Sequence, residues 1–225
     1  MEGVKINVSI SEGIFIKNPL ETNLGKKVIS NAIELFCDLG YEEFNFKKLA
    51  NKAETTEASV YRYFENKFRL LVYLSEWYWD FMYFVMMLDI RNLKNPHKKL
   101  KQAISTLVNS RNSILTPKYI NQNKLHLIII ENASKVLHTK NVDELNKEGY
   151  YRNYKKIVSQ LSQLIMEINS TYSFPVSLAS ILIEQSLNNE YYIEHLPNLT
   201  DKFEKPPSPA DQTVCMLEYL IDRLM

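Results

Sequence analysis

From Thr22 onward the apolar residues recur every three or four positions, the period of helices packed on one side. Val28, Ala32, Leu35, Phe36 and Leu39 share a face, and Gly40 stands where a helix takes its left-handed terminator. Asn45 can cap a second, short helix turning Phe46, Leu49, Ala50 and Ala53 inward. Thr56 can cap a third, with Val60 and Phe64 inward, and Asn66 a fourth. In each case the side-chain oxygen accepts from a backbone N–H that the first helical turn leaves unpaired.

The fourth helix is long. Leu71, Leu74, Tyr78, Phe81, Val85 and Leu88 make one stripe, and Trp77, Phe84 and Met87 a second, so its far half must be surrounded by other helices. A basic stretch, Arg91 to Lys101, follows. The pattern then predicts helices near 96–113, 118–138, 142–170 and 175–195. In the third, Tyr154, Ile157, Leu161, Leu164 and Ile168 form the seam. The run Leu125 to Ile130 is β-branched, but no turn residues bound it, and it reads as helix. The last helix, 208–225, opens on a cap, a first-position proline and an acid (Ser208-Pro209-Ala210-Asp211), and turns Val214, Leu217, Leu220, Ile221 and Leu224 to one side.

Residues 1–22 differ: Val4, Ile6, Val8 and Ile10 alternate with polar residues, predicting an extended arm or short strand, with a disordered leader as the alternative. The expected organisation is therefore an arm (1–22), a three-helix domain (23–70) and a helical bundle (71–225). The expected fold class is all-α.

Composition narrows the functions. Only 5 glycines and 8 prolines leave too few turn residues for a sandwich or barrel. Cys37 and Cys215 are far apart in sequence, which fits a reducing cytoplasm. The first residues lack a cationic region followed by an apolar one, so secretion is not expected. The apolar window Trp77–Leu88 is 12 residues, short of the roughly 20 that span a bilayer, so no membrane role is expected. His97, His126, His138 and His195 have no metal spacing, and phosphate-cradling glycine loops and nucleophile elbows are missing. Neither metal nor cofactor nor catalysis is expected.

Three short helices with a tight bend between the second and third describe a helix-turn-helix. Gly40-Tyr41, Leu49-Ala50, Ala53, Val60-Tyr61-Arg62-Tyr63-Phe64, Asn66-Lys67 and Leu70-Leu71 make the segment Thr22–Leu71 resemble the DNA-binding part of the tetracycline-repressor (TetR) family of bacterial transcription regulators. With Val60 and Phe64 inward, Glu57, Ala58, Tyr61 and Arg62 face outward, flanked by Ser59 and Tyr63, as a major-groove surface would. Arg62 is a candidate for bidentate contact to guanine, and Ser59, Tyr61 and Tyr63 for phosphates or thymine methyls. Lys67 at one helix start, and Asn45 with Lys47 and Lys48 at another, are candidate phosphate clamps. The resemblance implies the same positions.

Two features depart from the pattern. Glu54 occupies the bend where the family usually has glycine, and eight Lys/Arg against seven Asp/Glu leave the segment at only +1. Glu57 either accepts from a cytosine amino group or only complements the helix dipole. The resemblance further implies a homodimer built on the last two helices. Leu178, Ile181, Leu182, Leu217, Leu220, Ile221 and Leu224 are its candidate contacts, or else part of the intramolecular core. It also implies a small-molecule effector, for which Trp77, Asp80, Phe81, Phe84 and His126 are candidate pocket residues, with plain core as the competing role. The expected function is a ligand-responsive DNA-binding transcriptional regulator, a repressor that binds a palindromic operator as a homodimer. The alternative is a helical ligand- or protein-binding dimer that has lost DNA binding.

Overall fold

A computed structural model describes residues 9–109, 113–201 and 208–225. Among them the chain is helical without a strand: α1 Asn23–Glu43, α2 Phe46–Lys52, α3 Glu57–Tyr61, α4 Lys67–Ile90, α5 Pro96–Asn109, α6 Gln122–Leu137, α7 Val142–Lys147, α8 Arg152–Ile168, α9 Pro175–His195 and α10 Pro209–Leu224. The caps are largely those in the sequence. Side chains of Thr22, Asn45, Thr56 and Ser208 accept from the N–H of Gly25, Lys48, Ser59 and Asp211 respectively. The helix expected over 142–170 is two helices, because Gly149 at φ 86° separates α7 from α8. The helix expected from 118 begins only at Gln122, after a turn in which the Ile120 N–H donates to the Pro117 carbonyl.

The chain divides into two compact units. The first comprises Met1–Phe81 and Asn112–Asn153, the second Met82–Arg111 and Tyr154–Met225. The boundary expected at 70/71 falls inside α4.

In the first unit α1 packs on α6 and α2 on α3. Its core holds Val28, Ala32, Phe36, Leu49, Val60, Phe64, Leu71, Trp77 and Leu125, all fully or nearly fully buried. Phe36 stacks on Phe44 at 3.8 Å, and the Phe44 ring meets Phe46 edge-on, so aromatic contacts run from α1 into α2. Leu39, expected on the inner face, is exposed.

Val4, Ile6 and Val8 of the alternating segment lie outside the described residues. From Ser9 on the arm is not extended: it makes 3-10 turns at Glu12–Ile14 and Pro19–Glu21. It is tied down throughout. The Ser9 N–H donates to the Asp80 carboxylate (2.9 Å), the Ile16 N–H to the Tyr63 carbonyl (2.8 Å), and the Tyr150 hydroxyl to the Gly13 carbonyl (2.7 Å). The Pro19 turn lies so close to α1 that a Cβ on Gly25 would sit 2.2 Å from the Pro19 oxygen. That approach requires glycine.

In the second unit α5, α9 and α10 pack together. Leu100, Ile104, Ile157, Leu161, Leu178, Leu182, Leu217 and Ile221 are buried in it. Lys101 pairs with Asp222 at 2.7 Å, and the Asn189 amide donates to the Thr213 hydroxyl at 3.0 Å, joining α5 to α10 and α9 to α10.

Candidate nucleic-acid interface

The bend between α2 and α3 is a Schellman arrangement. The Thr55 N–H reaches the Ala50 carbonyl (2.9 Å) and the Glu54 N–H the Asn51 carbonyl (3.1 Å), which puts Glu54 at φ 52°. A residue with a Cβ is unfavourable there. Its carboxylate pairs with Lys27, whose hydrogen bond holds the Glu54 carboxyl below its ordinary range.

Past the bend, the hydroxyl of Thr56 caps α3 and lies 3.0 Å from the Ser59 hydroxyl. Val60 and Phe64 are wholly buried, while Glu57, Ala58, Tyr61 and Arg62 are exposed and Ser59 is half-buried. Tyr61 rests edge-on against Phe46 of α2, 4.9 Å between centroids, and remains about half exposed. Arg62 follows the last helical residue and its N–H donates to the Ala58 carbonyl (3.3 Å), while its guanidinium makes no hydrogen bond or ion pair among the described residues. Lys47, on α2, is likewise exposed.

Four sequence-predicted contacts are otherwise employed. Tyr63 is buried, and its hydroxyl lies 2.7 Å from that of Thr22, the residue capping α1; it positions helices and faces no solvent. Lys67 donates from Nζ to the carbonyls of Tyr41 (2.9 Å), Glu42 (3.1 Å) and Phe44 (3.4 Å), where α1 unwinds past Gly40 at φ 73°. Its ammonium also stands 4.5 Å over the Tyr41 ring. Lysine here satisfies carbonyls that the helix end leaves open. Asn45 spends its carboxamide oxygen on the Lys48 N–H, and the Lys48 ammonium donates to the Glu43 carbonyl at 2.8 Å.

The near-neutral charge of residues 23–71 has a structural counterpart that sequence reasoning missed. Lys124 of α6 bridges Glu34 and Asp38 of α1, and Lys135 of α6 pairs with Glu42 at 3.2 Å. The hydrogen bond from Lys124 holds the Asp38 carboxyl below its ordinary range, and the bond to Glu34 raises Lys124. Glu34, Asp38 and Glu42 of α1 are thus neutralised by lysines of α6.

Four of the candidate effector residues, Trp77, Asp80, Phe81 and His126, lie in the first unit. His126 is buried, its Nδ1 2.8 Å from the Tyr78 hydroxyl. Asp80 accepts from the arm. Trp77 and Phe81 are buried and stacked on each other at 5.3 Å. Phe84 belongs to the second unit. The candidate interface residues also divide: Leu178, Leu182, Leu217 and Ile221 are core, Leu220 is half-buried, and Ile181 and Leu224 are exposed, as are their neighbours Val176 and Tyr219.

A capped five-residue helix, seated by two buried side chains on a preceding pair and offering its other face to solvent, defines a helix-turn-helix protein. Residues 28–74 match the family model described as bacterial regulatory proteins, tetR family. Three solved structures share the fold across the chain. AibR in complex with isovaleryl coenzyme A and operator DNA is 16% identical, covers 88% of this chain and 97% of its own, and has a TM-score of 0.59. The fatty acid degradation regulator FadR from Bacillus halodurans is also 16% identical (89% and 95% covered, TM-score 0.60). A TetR-family transcriptional regulator from Pectobacterium atrosepticum, again 16% identical, covers 93% and 98% at TM-score 0.60. No curated protein matches the sequence. Residues 28–74 are thus a DNA-binding domain of the tetR-family type, and the rest of the chain shares the fold of these regulators.

Proposed function

We propose that the protein is a cytoplasmic, homodimeric, ligand-responsive repressor of transcription. The observation that carries this reading is the outward face of α3: Glu57, Ala58, Tyr61 and Arg62 are exposed opposite a fully buried Val60 and Phe64. Ala58 allows close approach to a groove floor, Arg62 has its donors uncommitted for guanine, and Tyr61 carries a hydroxyl and an apolar ring edge. Ser59 and Lys47 serve the flanking phosphates. One five-residue helix cannot discriminate an operator alone, so two copies about 34–36 Å apart read two half-sites.

The outward apolar residues Val176, Ile181, Tyr219 and Leu224 on α9 and α10 support the dimer face; Leu178, Leu182, Leu217 and Ile221 serve the core beneath it. The operator-bound and acyl-thioester-bound state of AibR supports an effector-responsive role, in which a coupling of about 1–3 kcal/mol alters occupancy some 5–150-fold. The low net charge that favoured a dimer without DNA binding is offset by the α6 lysines paired with the α1 acids.

Selection from a random oligonucleotide pool, followed by mobility shift, is the test. Enriched sequences should be two-fold symmetric and lose affinity with Arg62→Ala and Tyr61→Ala, and light scattering should report a dimer. A pool that yields no enriched site, or binding indifferent to both substitutions, refutes the proposal.

A further inference from the structure

The arm ahead of α1 has little structure of its own, only two 3-10 turns of 3 residues each. A chain terminus of that kind takes a fixed path only where other elements tie it down. Within the first unit, three of its bonds go to one place, the corner between α7 and α8. The Asn153 amide donates to the Ser9 carbonyl (2.8 Å), the Ser11 hydroxyl to the Gly149 carbonyl (3.1 Å), and the Tyr150 hydroxyl to the Gly13 carbonyl (2.7 Å). Every second arm residue from Ser9 to Gly13 is thus held by the corner.

Tyr150 is the joint of this clamp. It is 1% exposed, and its hydroxyl also accepts from the guanidinium of Arg69, in the first turn of α4. The guanidinium stands 4.7 Å over the Tyr150 ring and pairs with Glu148 of the corner and Glu65, each at 3.7 Å. A phenol hydroxyl donates one hydrogen and accepts others, so accepting from Arg69 directs its hydrogen to Gly13.

Just beyond Gly13 the arm meets the helix-turn-helix. The Ile16 N–H donates to the Tyr63 carbonyl (2.8 Å), past the end of α3, where a helix leaves carbonyls open. The Ile16 side chain is 65% exposed and grips nothing, so the bond depends on its neighbours. Ile14 is buried, and the Phe15 ring meets Tyr73 edge-on at 6.0 Å. Tyr63 and Phe64 in turn donate their N–H groups to the Val60 carbonyl of α3 (2.9 and 3.2 Å).

We infer that Tyr150 is a positioning residue for α3: its hydroxyl fixes the arm at Gly13 against Arg69, and the arm, through Ile16, fixes the carbonyl end of α3. The consequence for DNA rests on the regulator reading above. A helix held in place before it meets a groove loses less freedom on binding, so loosening the arm lowers operator affinity without removing any phosphate contact.

The experiment compares Tyr150→Phe with Tyr151→Phe in the full chain. Tyr151 is the control, since its buried hydroxyl likewise donates to a backbone carbonyl, that of Val136 (2.9 Å), in the same unit. Amide hydrogen exchange is followed by NMR at Ile16, Tyr63 and Phe64, and operator affinity by mobility shift on the selected oligonucleotide at several salt concentrations. Tyr150→Phe should exchange about tenfold faster at these amides and bind about tenfold more weakly with an unaltered salt slope. Tyr151→Phe should melt lower yet keep the parent's exchange at Ile16 and its affinity. Unaltered exchange at Ile16 in Tyr150→Phe overturns the clamp. Faster exchange at Ile16 with the parent's affinity overturns the positioning of α3, as do equal effects of the two variants, which would make Tyr150 a merely structural residue. A parent protein that binds no selected oligonucleotide refutes the regulator reading instead, and exchange at Tyr63 and Phe64 then decides the positioning by itself.

Discussion

Replacing Lys67 by methionine separates two roles that the sequence alone leaves merged. The substitution keeps the aliphatic stem and removes the ammonium that donates to three carbonyls at the end of α1 and stands over Tyr41. Hydrogen bonds involving a charged group contribute about 1.5–3 kcal/mol in total at such a site, and the ring contact adds about 0.5–1 kcal/mol. Because Lys67 is half-buried, the lower part of that range applies, and the expected loss is about 2–3 kcal/mol. For a chain of this size that lowers the melting temperature by roughly 5–10 °C. Lys47 is the control, exposed on α2. Lys47→Met should leave stability within about 0.5 kcal/mol and lower the salt slope of DNA binding by about 0.9, one phosphate's worth. Thermal melts and salt-dependent affinities on the two variants decide the matter. If Lys67→Met melts like the parent and its salt slope falls by one, the ammonium serves phosphate and the assignment to the end of α1 is wrong.

Glu54→Gly should raise the melting temperature by about 2–4 °C, since glycine takes φ 52° freely and the lost pair with Lys27 is exposed; an unchanged or lower value would mean the bend carries no strain. Gly25→Ala should destabilise by about 1–3 kcal/mol and make the arm near Pro19 sensitive to limited proteolysis, because its Cβ meets backbone. Tyr63→Phe, losing the bond to Thr22, should cost about 1 kcal/mol in melts and leave the salt slope of DNA binding unaltered. Burial, with Glu184 second, pushes the Tyr154 hydroxyl up to about 12. Its folded pKa lies above the unfolded value near 10, so its contribution is complete below about pH 10 and lost as pH rises toward 12. Tyrosinate absorbance in Tyr154→Phe should lack that late component.

The amino-acid sequence by itself determined the helices, their caps and the bend, because these depend on neighbours three or four positions away: Thr56 with Ser59, Asn45 with Lys48, Val60 with Phe64. It also carried the outward set on α3, since a buried pair four apart dictates which residues lie opposite. Tertiary structure decided what each polar group meets. Lys67 reads as a phosphate clamp until the end of α1, about 25 residues earlier, is folded against it. Tyr63 reads as a flank until the Thr22 hydroxyl arrives. Lys124 and Lys135 carry no sequence signal linking them to Glu34, Asp38 and Glu42. Likewise Gln122 looks like an ordinary first-turn residue, and only the fold shows its amide buried without a partner among the described residues. Periodicity encodes which side of a helix faces inward; the partners found there come from distant parts of the chain, and local patterning holds no record of them.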